Sequence, residues 1–173
     1  MIAGVSVERA NANDRLVLEN LFQLYVHDFS EQWRGRPEGE LGDNGLFDRY
    51  PLDGYWSEAG RVPLLARRDG NLCGFALLNT FSRTDAALDH AMAEFFIVRK
   101  HRRAGLGAAV AREIFSRFPG RWEVAVARGN LAAVAFWRRV VGSHAGLGDL
   151  AEIDLDDDRW TGPVLRFRIG PVS

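Results

Sequence analysis

Val5 and Val7 alternate with Ser6 and Glu8 at the start of the chain, the pattern of a short half-buried strand. Leu18, Leu21, Phe22, Tyr25 and Phe29 then recur at three- and four-residue steps, which predicts an amphipathic, core-facing helix with Asn13 or Asp14 as its cap. From Trp33 to Ser57 the periodicity stops, and Gly35, Pro37, Gly39, Gly42, Gly45, Pro51 and Gly54 mark a long loop. That loop carries Trp33, Phe47, Tyr50, Tyr55 and Trp56, rings that either wall a site or plug the flank of the core. Val62 to Arg67 and Leu72 to Thr80 are apolar runs joined across Asp69-Gly70, a hairpin signal.

A polar loop from Ser82 to His90 leads to Met92 through Val98, an apolar run with one acid inside it, as in a central strand covered on both faces. Leu106, Val110 and Ile114 mark a helix that Pro119-Gly120 stops. Trp122 to Ala127 reads as a strand, and Leu131 to Val141 as a helix capped by Asn130 and closed by Gly142. Glu152 to Leu155 and Val164 to Ile169 alternate as two closing strands around the acidic loop of Asp156, Asp157 and Asp158. This order predicts an α/β (α+β) layer fold in a single domain over residues 1–173, without internal repeats.

Composition narrows the classes of function. A net charge of -1 supplies no general attraction for a polyanion, which argues against nucleic-acid binding. The single cysteine, Cys73, excludes an intramolecular disulfide and fits a reducing, cytoplasmic setting. Its place inside an apolar hairpin strand reads as a small buried hydrophobe. No apolar window is long enough to span a bilayer, and the first residues lack the pattern of a signal peptide, so no membrane association is expected. His27, His90, His101 and His144 show no metal-ligand spacing, so no metal is expected.

The stretch richest in chemistry is Arg102-Arg103-Ala104-Gly105-Leu106-Gly107, a basic, glycine-bearing turn between a strand and a helix. N–H groups without intrahelical partners, the helix dipole and two arginines together make an anion site suited to a diphosphate. The nucleotide P-loop is absent, and a dinucleotide fingerprint fails because Val110 stands where its third glycine belongs. The turn does satisfy Arg/Gln-x-x-Gly-x-Gly/Ala, the acyl-coenzyme A pattern. One strand further on, Asn130-Leu131-Ala132-Ala133-Val134-Ala135-Phe136-Trp137 supplies a second, more specific spacing, Asn-x-x-Ala-x-x-Phe. On these two motifs the chain resembles the GNAT superfamily of N-acetyltransferases over nearly its whole length.

The resemblance implies a mixed, mostly antiparallel splayed sheet flanked by helices, with acetyl-coenzyme A entering between the strand of Glu94 and the strand of Trp122. It implies that Phe96, Ile97 and Val98 hydrogen-bond the pantetheine arm. The connection to Arg102 is about one residue shorter than the commonest form, so these three are taken as a cluster. Arg102, Arg103, Ala104, Gly105, Leu106, Gly107 and Ala108 would hold the pyrophosphate, with Asn130, Ala133 and Phe136 completing the cofactor site. Trp137 stands where the family often has a tyrosine, and an indole N–H is no substitute for a phenol as general acid.

Direct attack of an amine on a thioester needs a base. Glu94, an acid within an apolar strand, is the first candidate, the alternative being a buried carboxylate paired with an arginine. His90, beside Asp89, is the second candidate base or relay. The resemblance further implies that the acceptor, a small-molecule or peptide amine, enters along Tyr25 to Trp56, where Asp28, Glu31 or Asp48 would attract a cationic group. Many proteins of this scaffold are homodimers, which the resemblance extends here by analogy. A non-catalytic acyl-coenzyme A sensor on the same fold is the competing function, motivated by Trp137.

Overall fold

The computed structural model describes residues 4–144 and 147–170. The initial alternation is strand β1 (Val5–Arg9), and the apolar stripe is helix α1 (Arg15–Ser30), with Leu18, Leu21 and Phe22 buried on its inner face. Asp14 stands at the N-cap position of α1, as expected, but makes no side-chain cap bond there. Asn11 Oδ1 accepts the N–H of Asn13 at 2.9 Å, and the Asn11 N–H donates to Asp14 at 2.9 Å, closing a 3-10 turn that precedes α1.

The long loop contains a single helical turn, α2 (Gly54–Ser57), whose Tyr55 is buried. Its aromatic residues pack onto α1: the Tyr50 ring stacks on Phe22 at 4.2 Å, and Trp33 lies 5.9 Å from Phe29. Gln23 fastens the loop by accepting the Phe47 N–H at 2.9 Å and donating to the Phe47 carbonyl at 3.2 Å.

The hairpin is β2 (Val62–Arg68) and β3 (Asn71–Asn79), and β4 (His90–Ile97) pairs antiparallel with β3. Helix α3 (Leu106–Arg117) and strand β5 (Gly120–Ala125) follow, then α4 (Leu131–Gly142), β6 (Leu147–Asp156) and β7 (Thr161–Ile169). The seven strands form one sheet in the order β1-β2-β3-β4-β5-β7-β6, antiparallel except for β4 with β5.

Several strand ends differ from the sequence pattern: β4 begins at His90 rather than Met92, and β7 at Thr161 rather than Val164. β5 starts at Gly120 rather than Trp122, because pairing with Ile169 begins inside the turn itself, and it ends at Ala125. β6 is ten residues long, against the four with legible alternation, because a register shift between Gly148 and Ala151 breaks the period of two. One face of the sheet packs under α3 and α4 through Val110, Ile114, Phe115, Trp122 and Phe167. The other packs under α1 and the long loop through Phe22, Leu52, Tyr55, Phe75 and Phe96.

Candidate active site

The parallel strands β4 and β5 pair at only two positions, His90 with Trp122 and Ala91 with Glu123. Beyond them the strands separate, and a cleft of about 710 Å³ opens between Met92–Ile97 on one side and Val124–Ala127 on the other. The basic turn and the first residues of α3 and α4 line the same cleft.

The turn is built to present its backbone. A 3-10 turn over Arg99–His101 ends β4, and the Arg102 N–H donates to Arg99 O at 3.1 Å. Arg103 and Gly105 both take left-handed conformations, φ +66° and +76°. The first α3 bond runs from the Ala109 N–H to Gly105 O, leaving the N–H groups of Leu106, Gly107 and Ala108 without intrahelical acceptors. Left-handed residues ahead of a helix help to gather such donors into an anion-binding concavity. Leu106 itself is fully buried, so only its backbone can serve a ligand. Gly107 lets α4 approach: a Cβ there would stand 3.3 Å from the Phe136 ring.

The expected cofactor residues divide. Phe96, Ile97, Arg102, Arg103, Gly105, Gly107, Ala108, Asn130, Ala133 and Phe136 line the cleft, whereas Val98, Ala104 and Leu106 do not. The Val98 N–H is used within the sheet, donating to Cys73 O at 2.9 Å. Antiparallel alternation then turns the backbone of Phe96 toward β3 as well and leaves Phe95 and Ile97 facing the open edge. Phe95, which the motif reading passed over, thus belongs with Ile97. Asn130 caps α4 by accepting the Ala133 N–H at 3.1 Å.

Arg102 is already engaged. Its Nε donates to Ile97 O at 2.6 Å, its guanidinium lies 5.3 Å over Phe96, and another of its nitrogens pairs with Asp28 on α1. Arg99 donates to the second Asp28 oxygen at 2.8 Å. Asp28, expected to draw a cationic acceptor, is therefore occupied by two arginines of the turn.

The two candidate bases are separated by a bulge. Leu77 pairs with Glu94 but Leu78 pairs with Met92, so Ala93 is an extra residue that reverses the facing of the strand. Glu94 consequently turns toward α1, where it accepts a hydrogen bond from the Tyr25 hydroxyl. Burial raises the Glu94 pKa, partly offset by hydrogen bonds from Tyr25 and Tyr50 and by the charge of Arg83. Burial beside this carboxylate holds both phenols well above their ordinary pKa. No salt bridge to Glu94 occurs among the described residues; its partners are phenols. Tyr25 lines the cleft and Glu94 lies behind it.

His90 faces the other way, packed 5.6 Å from Phe118 and 5.0 Å from Trp122, outside the cleft lining. Burial there pushes its pKa down. His90 is not among the residues that line the cleft. Trp137 lines the cleft but is 6% exposed, its ring edge-on to Phe95 at 5.0 Å.

A sheet split between two parallel strands, with a helix N-terminus beside the split, is the arrangement that the GNAT resemblance implies. An acetyltransferase of the GNAT family from Staphylococcus aureus Mu50 superposes with a TM-score of 0.57 at 14% identity, over 95% of this chain and 98% of that one. An aminoglycoside acetyltransferase, AAC(6')-Ib, solved with coenzyme A and kanamycin, matches with a TM-score of 0.60 at 13% identity, over 94% and 92%. The dodecameric spermidine N-acetyltransferase from Vibrio cholerae matches with a TM-score of 0.55 at 12% identity, over 97% and 94%. Residues 18–142 match the model of the Acetyltransferase (GNAT) family, and the chain belongs to that family and is an acyltransferase. No curated protein matches it in sequence.

Proposed function

We propose that the chain transfers an acetyl group from acetyl-coenzyme A to a primary amine of a small molecule or peptide by direct attack. The observation that carries this reading is the parting of β4 from β5 after two paired residues, which aims the α3 donors into the cleft. The residues present fit the cofactor. A diphosphate matches the N–H groups from Leu106 to Ala108 and the Arg103 guanidinium, which has no acidic partner among the described residues. The open-edge backbone of Phe95 and the N–H of Ile97, whose carbonyl Arg102 occupies, match an extended amide arm. Acetyl-coenzyme A supplies the thioester.

Glu94 acts as the base, holding the amine proton either directly or through the Tyr25 hydroxyl that separates it from the cleft. A raised pKa brings the carboxylate closer to that of an amine and makes it a better proton acceptor. The N–H groups on the open edge of β4 hold the carbonyl oxygen as charge develops. A thiolate is a far better leaving group than an alkoxide or an amide ion and can take its proton from solvent after it leaves, so Trp137 does not block the reaction. In the test, thiol release from acetyl-coenzyme A is followed across a panel of amines, peptides and aminoglycosides. Acceptor-dependent release is expected; coenzyme A binding with no release for any acceptor would leave a sensor instead.

A further inference from the structure

Four arginines line the cleft, and they are not equivalent. Arg99 and Arg102 share Asp28, whose side chain is 13% exposed and carries the balancing charge. Arg103 and Arg139 make no salt bridge and no side-chain hydrogen bond with any described residue.

Arg139 lies on the cleft face of α4, one turn beyond Phe136. The Phe136 ring abuts Gly107 in the first turn of α3, and Arg112 of α3 donates to Ser143 Oγ at 3.1 Å just past the end of α4. The two helices therefore run side by side in the same direction. Arg139 falls between these contacts, alongside the opening turns of α3.

We propose that Arg139 binds the 3′-phosphate on the ribose of coenzyme A, so that the protein discriminates coenzyme A from its 3′-dephospho form. The inference rests on the acetyl-coenzyme A reading above and adds a residue that neither motif contains. Coenzyme A carries two separate anionic centres, the pyrophosphate and a ribose phosphomonoester. The α3 N–H groups and Arg103 satisfy the first. The second carries close to two charges at neutral pH, since a phosphomonoester has a second pKa of about 6. It needs a cation that Asp28 has not already neutralised. Arg139 is the remaining one in the cleft, and its planar fork suits a phosphate bidentately.

Calorimetry with coenzyme A and with 3′-dephospho-coenzyme A, on the wild-type chain, Arg139→Ala and Arg103→Ala, tests the assignment without reference to turnover. The wild type should bind coenzyme A about tenfold more tightly than the dephospho form, one charged hydrogen-bonded contact. Arg139→Ala should bind both forms with the affinity the wild type shows for dephospho-coenzyme A, a result that also reports its fold as intact. Arg103→Ala should weaken both alike. Equal wild-type affinities for the two forms, or an Arg139→Ala variant weakened equally toward both, would overturn the assignment while leaving the acetyl-coenzyme A reading in place. Failure of the wild type to bind either form overturns both.

Discussion

The Tyr25 hydroxyl donates a hydrogen bond to the Glu94 carboxylate, joining α1 to the central strand across 69 positions of sequence. Two opposing effects meet at this carboxyl. Burial favours the neutral form and raises the pKa, while the Tyr25 and Tyr50 hydrogen bonds favour the charged form and lower it; burial dominates. As the base, Glu94 must be ionised, so kcat/KM should rise with pH through a limb above the ordinary carboxylate range. Tyr25→Phe removes a bond to the charged form and should move that limb to higher pH. A pH profile of the variant with an unmoved or acid-shifted limb would separate Tyr25 from the titrating base.

Glu94→Gln should lower kcat by about 10²–10⁴-fold, the usual contribution of a positioned base, with coenzyme A affinity unchanged. Stability should move the other way. A carboxyl whose folded-state pKa is raised holds its proton more tightly when folded, so its ionisation costs stability as pH rises from the unfolded pKa through the folded one. The amide carries no such cost, and thermal melts above neutral pH should show the variant as stable as the wild type or more so. A variant that melts markedly lower at pH 8 yet keeps its kcat would make Glu94 a structural residue.

Gly105 caps α3 at φ +76°, and Arg103 two residues earlier already holds φ +66°. Gly105→Ala adds a second side chain to the left-handed region, at a cost of about 1–2 kcal/mol. Relaxation of that strain rotates the N–H groups that converge on the cleft. Urea unfolding should show the loss, and coenzyme A binding should weaken by more than the same substitution causes at the exposed Gly129, which has open space around it.

Asp28→Asn should tighten coenzyme A binding at low salt. The substitution removes the negative charge held against Arg99 and Arg102 and frees two cations at the edge of the anion site. It should also lower the melting temperature, because the same carboxylate ties α1 to the turn. The gain in affinity should shrink as ionic strength rises; a weaker, salt-independent affinity would mean that Asp28 only holds the turn in shape.

The turn from Arg102 to Gly107, the α1 stripe from Leu18 and the Asn130 cap were legible because each depends on residues within a few positions of one another. What the sequence hid is non-local. Parity along β4 puts His90 and Glu94 on one face, and the extra residue Ala93 separates them. The two motif arginines of the turn look alike, yet Asp28, 74 positions from Arg102, pairs with that one and not with Arg103. Tyr25 looked like another ring in an apolar stripe. Its polar tip finds a partner only once α1 lies across β4.

The first turn of the loop between β3 and β4 gathers on a buried carboxylate. Glu123 of β5, 2% exposed, accepts from Ser82 Oγ at 2.8 Å and from the Arg83 N–H at 2.8 Å, and also from Thr84 Oγ1. Ser82 Oγ in turn accepts the Thr84 and Ala86 N–H groups, each at 3.1 Å, while Asp85 and Asp89 are held separately by Arg159 and Arg121. The Arg83 guanidinium donates to Arg159 O at 3.2 Å and lies 5.0 Å over the ring of Trp160, which lines the cleft. Glu123→Leu keeps an apolar side chain of similar length but leaves several donors without an acceptor. It should cost at least about 2 kcal/mol in urea unfolding, since each unsatisfied buried group costs about 1–3 kcal/mol. Glu123→Gln retains one acceptor oxygen and should lose less. Releasing the loop also frees Arg83 from Trp160, so the acceptor KM should rise in both variants with coenzyme A affinity unchanged. A Leu variant within about 0.5 kcal/mol of the wild type, the range of ordinary surface substitutions, would mean that the loop is held by its own turns and not by Glu123.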